Sequence, residues 1–127
     1  MTDTTPTICL VAGEESGDQL GSELMKALTM RLGPNVRYCG VGGERMTSLG
    51  LTSFFDMTDV SVMGLSAVLA RLPLIVRRVY QTVDAVVAQN PSVLVIIDSP
   101  DFTHSVAKRV RKRAPQIPVV GYVSPSV

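Results

Sequence analysis

The sequence predicts an α/β fold, a parallel sheet flanked by helices, and three observations carry that prediction. Short aliphatic runs alternate with longer helical patterns along the whole chain, the alternation that right-handed βαβ crossovers require. Val93–Ile97 is aliphatic at five consecutive positions between Pro91 and Pro100, as in a strand covered on both faces. That run stops at Asp98, with Asp101 close behind, and open parallel sheets bind ligands beyond the carboxyl ends of their strands.

Taken in order, Thr7–Ala12 reads as the first strand and Gly13–Asp18 as a tight turn into a helix from about Asp18 to Leu32, closed by Gly33-Pro34. Val36–Cys39 is a second strand, and Gly40-Val41-Gly42-Gly43 marks a sharp turn or a close backbone approach. A short helix over Glu44–Leu49 and a brief strand over Thr52–Phe55 come next. Ser61–Gln89 is mostly helical and strongly apolar, with Pro73 either kinking it or dividing it in two. After the strand that ends at Ile97, His104–Ala114 is a helix whose last turns are basic, as a helix C-terminus prefers, and Ile117–Val123 is a final strand. The sum is one Rossmann-like domain over residues 1–127.

Composition sets the outer bounds. With 127 residues, 46% of them hydrophobic and 18% charged, the chain holds enough apolar material for a real core, which excludes disordered and fibrous classes. Twelve Lys and Arg against 11 Asp and Glu leave a net charge of +1, so no global attraction to nucleic acid or anionic lipid is expected. Cys9 and Cys39 lie in apolar, strand-like surroundings, which favours two reduced, buried thiols and a cytosolic compartment. Met1–Pro6 has no basic n-region, and Arg71, Arg77 and Arg78 interrupt the most apolar stretch, so neither a secretion signal nor a membrane-spanning helix is expected.

Two places carry candidate chemistry. The turn after the first strand, Gly13-Glu14-Glu15-Ser16-Gly17-Asp18, would leave backbone N–H groups free at a helix N-terminus, although it is neither a dinucleotide fingerprint nor a P-loop. Glu14 and Glu15 would repel a phosphate there, so sugar hydroxyls fit better. The structural alternative is that Ser16 or Asp18 caps the helix while Gly17 and Gly21 permit close helix–sheet packing. At the second place Asp98 can serve as a general base, whereas Asp101, just before Phe102, fits helix capping better than catalysis. His104 is the only histidine, which makes a metal site poorly supported, and reads as a helix-surface residue.

Gly13–Asp18, Gly40–Met46, Ser61–Gly64, Ile97–Phe102 and Tyr122–Val127, in this order, resemble the N-terminal part of the lipid-A-disaccharide synthase family. The resemblance runs from Ile8 to the end of the chain. It implies the N-terminal, acceptor-side half of a two-Rossmann-domain (GT-B) inverting glycosyltransferase, with the donor-binding C-terminal domain lying beyond this chain. The implied reaction joins UDP-2,3-diacylglucosamine to 2,3-diacylglucosamine 1-phosphate, giving a β-1,6-linked disaccharide and UDP with no metal or organic cofactor. It implies Asp98 as the base. It also puts Glu14, Ser16, Gly17, Asp18, Gly43, Arg45, Met63, Gly64, Asp101, Ser124 and Ser126 on the substrate cleft. Peripheral contact with the cytoplasmic face of the bacterial inner membrane is implied as well, and a homodimer is left open for a full-length enzyme.

In that setting the apolar stretch gains a meaning. Val68, Leu69, Leu72, Ile75 and Val76 become candidates for acyl-chain or membrane contact, with Arg71, Arg77 and Arg78 placed for anionic head groups. An ordinary core helix with a solvated basic edge is the alternative. Lys108–Arg113 reads as a solvated helix face, and no aromatic residues interleave it as nucleic-acid binding would require. A non-catalytic receiver- or flavodoxin-like domain that binds a nucleotide or effector is the other functional reading. Receiver chemistry would need a Lys at the end of the last strand, and no Lys follows Ile117.

Overall fold

A computed structural model of the protein describes residues 5–61 and 65–122. Strands and helices alternate as β1 (Thr7–Ala12), α1 (Glu15–Leu32), β2 (Arg37–Val41), α2 (Glu44–Ser48), β3 (Thr52–Ser53), α3 (Leu65–Gln89), β4 (Val93–Ile97), α4 (Pro100–Arg113) and β5 (Val119–Tyr122), with a 3-10 turn at Met57–Asp59. All strand pairs are parallel, in the order β3-β2-β1-β4-β5. The Rossmann-like α/β arrangement expected from the sequence is therefore present.

The two central strands are the most apolar. Ile8 to Ala12 of β1 and Leu94 to Ile97 of β4 are buried along their length, because helices cover both faces of the sheet and leave no polar side to alternate with. Cys9 stands opposite Cys39 in the β1–β2 register, with their sulfurs 3.2 Å apart, well beyond a covalent S–S length. Both are free, buried thiols, as the sequence predicted. The contact with Cys39 and burial push the Cys9 thiol far above its ordinary range, which keeps it protonated.

Several boundaries differ from the sequence reading. Helix α1 begins at Glu15, so only Gly13 and Glu14 form the turn expected over Gly13–Asp18. Helix α4 begins at Pro100 rather than His104, since the fixed φ of proline suits a first helical turn. Pro73 does not divide α3, which runs unbroken from Leu65 to Gln89. Pro73 and Leu69, the residue whose carbonyl loses its helical donor, are both exposed, so water can take the place of the missing bond. Strand β2 extends to Val41 through Gly40, whose φ is +140° and whose Cβ, if it had one, would fall 1.9 Å from the Leu10 carbonyl oxygen. Only glycine permits β2 to lie that close to β1.

Candidate active site

Strand order reverses at β1. The chain moves from β1 to β2 and β3 on one side and returns through α3 to β4 on the other, so the loops after β1 and β4 diverge and open a crevice at their carboxyl ends. Ala12 and Ile97 end these strands as a registered pair. Gly13-Glu14, just past Ala12, and Asp98-Ser99, just past Ile97, form the rim. Gly13 lets the two loops touch: a Cβ there would lie 2.9 Å from both Cβ and Oγ of Ser99.

Asp98 and Ser99 adopt left-handed backbone, with φ of +46° and +43°. For residues with side chains this costs about 1–3 kcal/mol each and persists only where the surroundings enforce it. Thr103 supplies much of that enforcement. Its hydroxyl, almost fully buried in α4, lies within donor distance of two carbonyl oxygens, Asp98 at 2.8 Å and Ser99 at 3.1 Å. The Ser99 carbonyl also accepts the N–H groups of Phe102 and Thr103, each at 3.0 Å. The strand end is thereby turned sharply into α4, and Asp98 faces a pocket of about 290 Å³ lined also by Glu14, Ser99, Thr103 and His104.

Glu14 is exposed and accepts a hydrogen bond from the Ser16 hydroxyl at 2.9 Å. It lines the Asp98 pocket and, with Ser99, also a larger groove of about 510 Å³ between α3 and α4. The two spaces therefore adjoin at Glu14 and Ser99, which line both. One wall of the groove is aliphatic, from Val68, Leu72, Ile75, Val76 and Val79 of α3, and Asp101 and Phe102 begin the other. Four of the five residues singled out for acyl or membrane contact thus line this groove. Leu69 does not, being 60% exposed on the outside of α3.

Asp18 has a different use from the one expected. Its carboxylate, only 6% exposed, accepts backbone N–H groups from Gly43 at 2.8 Å and from Arg45 and Met46 at 3.0 Å. It caps α2 across the fold rather than α1 within its own turn, a favourable place for a negative charge. Gly43 is needed for that approach, since a Cβ there would fall 2.9 Å from the Asp18 carboxylate. This cap brings the Gly13–Asp18 and Gly43–Met46 segments together, and Asp18, Gly43 and Arg45 line neither the pocket nor the groove. Gly17 packs against the sheet, with its Cβ position 3.1 Å from that of Ala12. Asp101 is exposed in the first turn of α4 and makes no cap, the N-cap position being Ser99.

The basic residues of α3 are partly committed within the fold. Arg78 pairs with Asp59 at 2.9 Å and stacks on the Phe55 ring, and Arg71 donates to the Thr58 carbonyl. Arg77 is exposed. On α4, Lys108, Arg111 and Lys112 form the expected solvated face, whereas Arg113 pairs with Asp84 and Arg109 stacks on Tyr80. Met63, Gly64, Ser124 and Ser126 lie outside the described residues. No helix among the described residues is long and apolar enough to cross a membrane.

Residues 8–127 match the family model described as lipid-A-disaccharide synthetase. The chain is similar to the lipid-A-disaccharide synthase of Nitrobacter winogradskyi, 61% identical over 120 residues, which are 94% of this chain and 30% of the relative. It is 54% identical to that of Rhodopseudomonas palustris over 125 residues, 98% of this chain and 32% of the relative. Against the synthase of Paramagnetospirillum magneticum it is 48% identical over 120 residues, 94% of this chain and 31% of the relative. The chain thus spans about 30% of the length of these curated relatives. Over nearly its whole length, with an acidic residue held at the switch point of a parallel sheet, the chain belongs to the lipid-A-disaccharide synthetase family.

Proposed function

We propose that this chain is the acceptor-side domain of an inverting glycosyltransferase that acts on acylated glucosamine. The substrates are UDP-2,3-diacylglucosamine and 2,3-diacylglucosamine 1-phosphate, and the products are the β-1,6-linked disaccharide 1-phosphate and UDP. One observation carries the reading above the others: the Asp98 pocket adjoins, at Glu14 and Ser99, a larger groove with an aliphatic wall. A sugar with a fatty chain needs that combination, a chamber beside a carboxylate and an adjoining channel for methylenes.

In the proposed reaction the acceptor's 6-hydroxyl oxygen bonds to the donor's anomeric carbon as the bond from that carbon to the UDP oxygen breaks on the opposite face. Asp98 takes the hydroxyl proton as the bond forms. Its left-handed backbone fixes where the carboxylate stands, so that little reorganisation is needed during attack. Glu14 and Ser16 orient sugar hydroxyls at the rim, while Gly17, Asp18, Gly43 and Arg45 act indirectly by holding α1 against α2. UDP is held chiefly by a separate C-terminal domain. The exposed aliphatic side of α3, with Arg77, rests on the cytoplasmic face of the inner membrane, from which the acylated substrates are drawn. The family match over residues 8–127 does not favour a non-catalytic effector-binding domain.

The deciding experiment is disaccharide formation from the two acylated sugars by the full-length protein that carries this sequence. Turnover with release of UDP is the expected result. A folded full-length protein that releases no UDP in the presence of both sugars would remove the proposal.

A further inference from the structure

We propose that Tyr80 and Arg109 form the end stop of the apolar groove and so set the acyl-chain length it accepts, an inference that rests on the acylated-sugar reading of the same site. On α4 the groove lining begins at Asp101 and ends at Arg109, and on α3 its last member is Tyr80. The guanidinium carbon of Arg109 stands 5.1 Å from the Tyr80 ring centroid. The pair therefore crosses from one wall of the groove to the other at the end farthest along both helices from the Asp98 rim.

Arg109 is half-buried, donates one N–H to the Ser105 carbonyl at 3.1 Å, and has no carboxylate partner among the described residues. The aromatic face is thus its main electrostatic support there, and a cation so placed is weakly hydrated and planar enough to close a slot. The occupant is an acyl chain on a sugar bound beside Asp98, because the groove adjoins that pocket at Glu14 and Ser99 and its α3 wall is aliphatic. Asp101 and Arg109 are eight positions apart on α4, which gives a run of about 12 Å from rim to stop. A chain that fits this run buries each methylene. A longer one must either leave methylenes in water or lift Arg109 from the ring, and both cost affinity.

The test compares the full-length enzyme with Tyr80→Ala, Arg109→Ala and Tyr80→Phe variants on acylated sugars that differ only in chain length. Relative kcat/KM for chains two methylenes longer, divided by that for the preferred length, is expected to rise about tenfold in both alanine variants, the scale set by the burial of two more methylenes. Tyr80→Phe keeps the ring face and is expected to retain the wild-type ratio. An unchanged ratio in both alanine variants, with melting temperatures near wild type, would overturn the end stop while leaving the glycosyltransferase reading intact. Equal loss with every chain length in Arg109→Ala would also overturn it, and would make Arg109 an anchor for a charged group. Absence of disaccharide formation by the wild-type enzyme would overturn both readings together.

Discussion

The Thr103 hydroxyl stands 2.8 Å from the Asp98 carbonyl oxygen, and this bond ties the candidate base to the second turn of α4. It holds the backbone of Asp98 rather than its carboxylate. Thr103→Val keeps the shape and removes the donor, so stability is expected to fall by about 1 kcal/mol. With the base no longer held in place, kcat of the full-length enzyme should fall by on the order of tenfold, with KM little changed. Denaturant melts and steady-state kinetics check the two parts separately. Unaltered kcat would mean that the left-handed turn holds without this bond.

Asp98→Asn removes the proposed proton acceptor while keeping size and hydrogen-bonding capacity. Turnover is expected to fall by about 10² or more, the usual scale for loss of a general base, with fold and substrate binding retained. Near-normal turnover would take Asp98 out of that role.

Asp18→Ala strands three N–H groups at the start of α2. A loss of at least about 2 kcal/mol in unfolding free energy is expected, since hydrogen bonds to a charged acceptor are the stronger kind. Gly43→Ala should destabilise in the same direction by pressing on the carboxylate. Chemical denaturation measures both. A large drop in kcat without a drop in stability would instead place Asp18 at the substrate.

Leu69, on the outside of α3, is 60% exposed, and Leu72 and Val76, which also line the groove, are 44% and 46% exposed. Replacing Leu69 and Leu72 with Ser should cost little stability yet reduce co-sedimentation of the full-length protein with anionic vesicles several-fold, as loss of buried apolar area at an interface does. Equal sedimentation of variant and wild type would remove this face from membrane contact.

The Cys9 thiol is buried protonated, and its folded-state pKa lies above the ordinary value of 9.0. The folded state then binds more protons than the unfolded one at pH above about 9, so stability contributed by this group is complete below that pH and declines as pH rises through it. Thermal melts from pH 7 to 10 should show that decline, and a Cys9→Ala variant should show less of it. Alkylation of Cys9 at pH 8 is expected only after denaturation, because the thiolate is the reactive form.

Much of the architecture is legible in the sequence because hydrophobic pattern reports burial directly. Val93–Ile97 can hardly be anything but a central strand, and its abrupt end locates Asp98 at the switch point. The cap from Asp18 to Gly43, Arg45 and Met46 is not legible, since it joins positions 25 to 28 residues apart and no local rule links them. Ser16 and Asp18 have the composition of a cap for their own helix, and tertiary packing sends Asp18 to another. Nor does the sequence disclose the left-handed pair at Asp98-Ser99, where aspartate and serine carry none of the signal that a glycine would have. Thr103 escapes notice for a related reason. A threonine in the second turn of a helix stands out only when the carbonyls it meets are known to be turned toward it. The Tyr80–Arg109 stack joins two helices whose relative rotation no periodicity supplies.

The central position of β1 bears on how the chain comes together. Cys9 must find both Cys39 and Leu94, one nearby in sequence and the other beyond the whole of α3. Loop closure is less costly for the first pairing than for the second. During synthesis from the N-terminus, β1, α1 and β2 can therefore associate while the other edge of β1 still waits for β4. Through that interval an aliphatic strand edge is open to other chains. The pace at which α3 emerges and docks should then decide how much of the newly made protein escapes aggregation.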